Sequence, residues 1–261
     1  LWDDVVSRVQ PFPRLIMVLA FSSGAFLSDA VRMTVSAYGW LPYGIYESNS
    51  TLIIAGVLVV TGFVNAGNMA DGANGLLALI GLSFLAVLLH NDPASFASLF
   101  ILALLVFFLF NITTGRIFLG DFGAYSLSAL VAFKSLEFYS NNSVSIFFLA
   151  SILIYPCFEI ARSIVLRYIK KSSLFNPDNN HLHNLVNQYV LTFEISKHSA
   201  NSITGLSIAT LSTLPPVCLY FFGISITSDL WMTIFGFQFF YLTLIYIIFE
   251  KKLSRTYESL L

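Results

Sequence analysis

The residues best suited to chemistry form one run: Asn65, Ala66, Gly67, Asn68, Met69, Ala70, Asp71, Gly72, Ala73, Asn74, Gly75, Leu76. It sets a carboxylate, carboxamides and glycines between two stretches with almost nothing polar, Thr51 to Val64 before it and Leu76 to Leu89 after it. An Asp held at mid-bilayer costs roughly 2.5 to 3.5 kcal/mol, so polar clusters in such surroundings are functional-site candidates. The same run is also what a capped polar loop between two helices would look like.

Four further clusters are candidates for chemistry. Asp3 and Asp4 are adjacent carboxylates; like charges raise one pKa, which makes a general base, or are neutralised by a cation, as magnesium-dependent phosphoryl transfer needs. A solvated acidic pair is the plainer reading. In Gly115, Arg116, Ile117, Phe118, Leu119, Gly120, Asp121, Phe122, Gly123, glycines on both sides of Asp121 let the backbone approach a phosphate or metal, and Arg116 offers a phosphate partner. Helix punctuation, with Arg116 as a membrane-surface anchor, explains the same letters. Glu159 and Arg162 at i, i+3 share a helix face and predict a structural ion pair. His181 and His183 are spaced i, i+2, which suits a zinc helix poorly and fits a phosphate-contacting or acid-base loop better.

The elements that must position these groups follow from composition. The 261 residues are 57% hydrophobic and 10% charged, with mean hydropathy +0.79, against about 25% charged in soluble domains. The chain is therefore expected to be an integral membrane protein. Apolar runs of spanning length, without the alternation of a transmembrane barrel, predict an all-α helical bundle. A net charge of -1 gives no basis for nucleic-acid binding. Cys157 and Cys218 share no metal-ligand spacing and are expected to be buried small hydrophobes. The chain starts at Leu1 rather than Met, directly on the acidic pair, and is read as a piece lacking an upstream segment.

Eight apolar segments predict eight transmembrane helices: about 13–31, 51–66, 73–90, 94–112, 123–138, 144–167, 201–223 and 229–249. Together they make one transmembrane domain over 1–261, with 168–198 as a polar loop within it. Short connections make consecutive helices antiparallel. Sorting the loops by parity puts Arg8, Arg14, Arg116, Arg162, Arg167, Lys170, Lys171, Lys197, Lys251, Lys252 and Arg255 on one side and only Arg32 and Lys134 on the other. The basic side is cytoplasmic by the positive-inside rule. Asp3 and Asp4, the 65–76 run, Thr113 to Asp121 and the 168–198 loop all fall on that side, where they can converge.

These residues together resemble the polyprenyl-phosphate N-acetylhexosamine-1-phosphate transferase superfamily, which includes the bacterial undecaprenyl-phosphate GlcNAc-1-phosphate transferase and the phospho-MurNAc-pentapeptide transferase. The matching elements are Asp3 and Asp4, the Asn65 to Leu76 run, Gly115 to Asp121, Pro156 with Glu159 and Arg162, and Pro177 and Asp178 with His181, Leu182 and His183. The resemblance implies about eleven spans in the full-length protein, three of them upstream. It implies transfer of a sugar 1-phosphate from a UDP-N-acetylhexosamine to undecaprenyl phosphate at the inner face of the bacterial cytoplasmic membrane, with Mg2+ (or Mn2+) as cofactor and relatives that can be homodimers. By position, Asn68 and Asp121 would hold the metal. Asp3, Asp4, Asp71 and His181 would be catalytic, Asp3 accepting a proton from or orienting the lipid phosphate. Asn65, Gly72, Asn74, Arg116 and His183 would bind substrate, with Gly72 and Asn74 at the uridine and Arg116 and His183 at the diphosphate or sugar.

Three departures shape the expectation. Asn74 stands where the commonest bacterial form has a second Asp, Glu159 where Asp is frequent, and Asn184 where a further His is common. The last favours the branch making surface polysaccharide or glycan lipid precursors, such as O-antigen or lipopolysaccharide, over the MurNAc-pentapeptide branch. A transporter would hold its acids near the midplane, whereas these lie at helix ends; a non-catalytic paralogue would not need Asp3, Asp4, Asp71 and Asp121 together. The sugar itself is left open among acetamido hexoses that differ by hydroxyls and epimers.

Overall fold

The computed structural model describes residues 11–27, 49–92, 97–142, 144–171 and 180–258. Asp3, Asp4 and the Pro177 and Asp178 pair lie outside the described residues. The described chain is helical throughout, with no strand: α1 Pro11–Leu27, α2 Asn49–Ala70, α3 Leu76–Asn91, α4 Ala97–Thr114, α5 Gly120–Asn142, α6 Ile146–Ile152, α7 Ile154–Ile169, α8 Leu182–Leu191, α9 Lys197–Phe221 and α10 Leu230–Glu258. Apolar chain in lipid must satisfy every backbone group internally, which leaves the helix as the solution for such segments. The protein is an all-α, multi-pass membrane protein.

The described part of each of the eight apolar segments is mostly helix, yet fewer than eight are long and apolar enough to cross. Among the described residues four qualify, Ser50–Ala70, Ala97–Thr114, Lys197–Phe221 and Leu230–Leu253, or five if α6 and α7 count as one broken span. Helix α3, at 16 residues, is only about 24 Å long, and α5 carries Asp121, Lys134 and Glu137 in its length. The expected sixth span bends by 89° between α6 and α7. Pro156 is the reason: without an N–H it cannot bond the Ile152 carbonyl, so the ladder breaks there. The polar loop expected over 168–198 contains helix α8. Cys157 is only partly buried and Cys218 is exposed, which corrects the expectation of two buried thiols; both are free. In a bundle facing lipid, a small apolar side chain has no need of the core.

The main core gathers α3, α6, α7, α9 and α10 around Leu76, Ile80, Phe84, Phe148, Tyr155 and Trp231. A smaller cluster, including Phe26, Val60, Val64 and Ala132, ties α1, α2 and α5. Helix α3 is the axis, packed by α4, α5 and α9. Helix α10 repairs the defects of its neighbours. Pro215 and Pro216 lie inside α9 and remove the N–H groups that would bond the Leu211 and Ser212 carbonyls. Tyr241 Oη donates to the Leu211 carbonyl, and buried Gln238 donates from Nε2 to the carbonyls of Ser212 (2.9 Å) and Ser151 (3.2 Å), the latter in the last turn of α6.

Gln238→Leu keeps the side-chain bulk and removes both bonds. It should lower stability by roughly 0.6 to 2 kcal/mol, the scale of interhelical hydrogen bonds in membranes, read as thermal unfolding of the detergent-solubilised protein. Adding Pro216→Ala, which restores a donor for Ser212, should recover part of the loss.

Candidate active site

The candidate site is built where helix ends meet. Helix α2 stops at Ala70, and Asp71 N–H bonds back to the Gly67 carbonyl (3.0 Å). The chain then turns through Gly72 to Gly75 into α3. Gly75 has φ 77°, and a Cβ there would lie 2.5 Å from Ile112 Cγ2, so conformation and space both call for glycine. Asn111, buried at the end of α4, fastens this turn: its Oδ1 accepts from Gly75 N–H (2.5 Å) and its Nδ2 donates to the Ile117 carbonyl (2.6 Å). One side chain therefore holds the 71–75 turn and the 115–119 loop together.

Between them lies a cavity of about 290 Å³, near the lower end of ligand-pocket volumes. Its lining includes Asn68, Asp71, Gly72, Asn74, Asn111 and Asp121. Five residues singled out in the sequence, Asn68, Asp71, Gly72, Asn74 and Asp121, thus share one cavity. Asn65 does not line it; its Nδ2 donates to the Thr61 carbonyl of its own helix (2.8 Å). Arg116 is exposed and also outside the lining.

Electrostatics mark the acid pair. Burial, and next the charge of Asp121, push the Asp71 carboxyl up to about 7. Asp121 is held by Arg14 of α1 at 2.7 Å, a partner the sequence gave no means of choosing. Two carboxylates and a carboxamide oxygen are a hard-oxygen donor set, and among the described residues no three His, Cys, Asp or Glu side chains are placed to hold a metal ion by themselves. That set suits magnesium, which is typically held by one or two carboxylates together with substrate phosphates and water.

Helix α9 forms the back wall. Asn74 donates from Nδ2 to Ser202 Oγ (3.1 Å) and its Oδ1 accepts from Asn201 Nδ2 (3.4 Å). Ser202 in turn donates to the Ile112 carbonyl (2.9 Å). A Cβ on Gly205 would fall 2.0 Å from the Asn74 carbonyl oxygen, so α9 lies flush against the turn. Asn111, Asn201 and Ser202 were not legible as site residues, because their partners are distant in sequence.

The two histidines stand at the other side of Gly72. A Cβ on Gly72 would come 1.9 Å from His183 Nε2. The His181 and His183 rings stack at 5.3 Å. Burial pushes His183 down to about 4, so it is neutral at pH 7 and brings no charge to a phosphate. The Glu159 and Arg162 pair forms as expected, at 3.0 Å, but Glu159 also accepts from His181 Nδ1 (2.8 Å) and from Leu182 N–H (2.8 Å). The ion pair thereby anchors the histidine segment.

Residues 1–139 match the sequence family described as Glycosyl transferase family 4, a stretch that contains both the 71–75 turn and the 115–121 loop. The chain is 25% identical over 177 residues (68% of this chain, 54% of the relative) to the undecaprenyl-phosphate alpha-N-acetylglucosaminyl 1-phosphate transferase of Thermotoga maritima. It is 29% identical over 185 residues (67% and 48%) to a probable undecaprenyl-phosphate N-acetylglucosaminyl 1-phosphate transferase of Bacillus subtilis. To the phospho-N-acetylmuramoyl-pentapeptide-transferase of Deinococcus radiodurans it is 39% identical over 123 residues (47% and 38%). The matches span about half or less of the length of these relatives. No solved structure matches the chain.

The close approach at Gly72 is directly testable. His183 is pinned from behind and cannot yield, so Gly72→Ala should cost about 1 to 3 kcal/mol through overpacking. Gly62→Ala, where an added Cβ meets nothing within 4 Å, should be neutral or stabilising by up to about 1 kcal/mol. Thermal unfolding of the two variants side by side checks the contrast.

Proposed function

The chain belongs to glycosyl transferase family 4, and from that premise we propose that it transfers an N-acetylhexosamine 1-phosphate from a UDP-sugar to undecaprenyl phosphate, releasing UMP. The observation that carries the proposal is the meeting of Asp71, Asp121 and Asn68 in one cavity at a junction of helix ends. The names of the Thermotoga and Bacillus relatives supply the lipid and the sugar class. A phospho-MurNAc-pentapeptide substrate is the second reading, favoured by the Deinococcus match; Asn184 after His183 speaks for the first. The excess of basic residues on one side of the loops, as the sequence sorts them, supports a site on the cytoplasmic face of a bacterial membrane.

In this reaction an oxygen of the lipid phosphate attacks the sugar-linked phosphorus of the UDP-sugar. One P–O bond forms, the P–O bond to the uridylate phosphate breaks, and UMP leaves with that electron pair. Catalysis of such transfers is mostly positioning and charge neutralisation. Magnesium, when bound, supplies the neutralisation of diphosphate charge, and Asn68 and Asp121 would hold it. Asp71, held up to about 7 by burial and Asp121, would be shifted toward its carboxylate form by a cation held beside it. Gly72 keeps the turn open to the phosphates, and Asn74, tied to Asn201 and Ser202, shapes the nucleotide end. Asp3 would orient or deprotonate the lipid phosphate, with Asp4 in support. Arg116, exposed and outside the cavity lining, would meet the diphosphate as it enters.

UMP release by the full-length protein, given undecaprenyl phosphate and a series of UDP-N-acetylhexosamines, tests the proposal. Wild type should release UMP with at least one of them, and Asp121→Ala should lose on the order of a hundredfold or more in rate, as removal of a charge-stabilising group does. Release of UMP at an unchanged rate by Asp121→Ala would refute the role of Asp121.

The raised Asp71 carboxyl gives a pH dependence with a fixed sign. Below about 7 a proton occupies Asp71 and competes with a cation; above it the carboxylate is free of that competition. The apparent affinity for Mg2+ should therefore rise from pH 6 to pH 8, and Asp71→Asn should flatten the rise.

A further inference from the structure

The hydrogen bonds behind the histidines determine where their protons sit. Glu159 has no exposed surface and receives four contacts: Tyr155 Oη (3.1 Å) and Leu182 N–H (2.8 Å) on Oε1, Arg162 Nη2 (3.0 Å) and His181 Nδ1 (2.8 Å) on Oε2. The amide and the guanidinium can only donate, and the carboxylate can only accept. The one proton of the Tyr155 hydroxyl is thus committed to Glu159. The Tyr155 oxygen must then accept, and it faces the His183 backbone N–H (3.3 Å) and His183 Nδ1 (3.0 Å). The reverse arrangement would set a phenol lone pair against a buried carboxylate oxygen, with nothing between them to carry a proton.

We propose that Glu159, acting through Tyr155, is a positioning residue that holds His183 in its Nδ1–H tautomer and aims the Nε2 lone pair at the Gly72 turn, where it accepts a hydrogen bond from a sugar hydroxyl or amide N–H of the substrate. The substrate part rests on the transferase reading above. Nε2 is the atom that abuts Gly72; Gly72 lines the cavity with Asp71 and Asp121, while the His183 ring, 3% exposed, stands behind it and outside the lining. The downward push on His183 from burial agrees with a neutral ring that accepts. A neutral acceptor selects a donor, so His183 reads the acetamido sugar rather than the diphosphate. His181 Nδ1 lies 2.8 Å from Glu159 Oε2 and 3.2 Å from Arg162 Nη2, and its ring stacks on that of His183.

Two measurements on the full-length protein test this. The first is the 15N spectrum of labelled histidine at neutral pH, with His183 assigned from its loss in His183→Gln. Protonated Nδ1 and bare Nε2 are expected in wild type, and a mixture of tautomers in Tyr155→Phe, which removes only the hydroxyl. Protonation at Nε2 in wild type, or an unchanged spectrum in Tyr155→Phe, overturns the proposal. The second is UMP release from UDP-N-acetylglucosamine: Tyr155→Phe should raise KM about tenfold with kcat little changed, on the scale of one lost hydrogen bond. In the His183→Gln background the same change should add nothing; additive losses would show that Tyr155 acts elsewhere. Absence of UMP from wild type with every UDP-sugar would refute the transferase reading and the substrate part with it, while the spectrum still decides the proton arrangement.

Discussion

Two carboxylates brought together at the end of an apolar bundle repel each other unless charge or a proton intervenes. Asp71 and Asp121 do this at the junction of α2 with α3 and of α4 with α5, and the effect shows in Asp71, which burial and Asp121 hold up to about 7. Arg14 offsets part of the charge on Asp121. Much of the surrounding architecture serves to keep this unfavourable pair in place. A site whose described residues set two carboxylates beside a carboxamide oxygen is suited to a divalent ion and its phosphate ligands.

The supports are backbone and carboxamide contacts rather than bulk. Asn111 clamps the 71–75 turn to the 115–119 loop. Asn74 is bonded to Asn201 and Ser202 of α9, and Gly205 lets that helix lie against the turn. On the far side Glu159 gathers Tyr155, Arg162, His181 and the start of α8. Helix α10 then supplies Gln238 and Tyr241 to carbonyls that Pro215, Pro216 and the end of α6 leave without partners. The bends that let these helices surround a polar site are in this way kept from leaving bare backbone in the core.

The helices were legible because each apolar run had no other way to satisfy its backbone. The number of crossings was not, since hydropathy marks α3 about as strongly as α4 although α3 is shorter and mostly buried. The break at Leu153 was visible only as Pro156, a residue tolerated in the first turn of a helix as well as able to end one. In the candidate site, the acids and glycines were legible from their types against an apolar background. The parts that fix them, Asn111, Ser202, Asn201 and Arg14, were not, because an isolated amide or hydroxyl in a helix shows nothing until its partner some tens of residues away is known. The same holds for Glu159: its i, i+3 pair with Arg162 was predictable, but its hold on His181 and Leu182 came only from the fold.

The account stands on the claim that the Asp71 and Asp121 cavity brings a divalent ion and the substrate diphosphate together. Pulsed electron paramagnetic resonance on Mn2+ bound to the full-length protein with UDP-N-acetylglucosamine addresses it most directly. The account predicts 31P hyperfine coupling to the bound Mn2+ in wild type and its loss in Asp121→Asn. Bound Mn2+ without 31P coupling, or coupling of equal strength in Asp121→Asn, would contradict it.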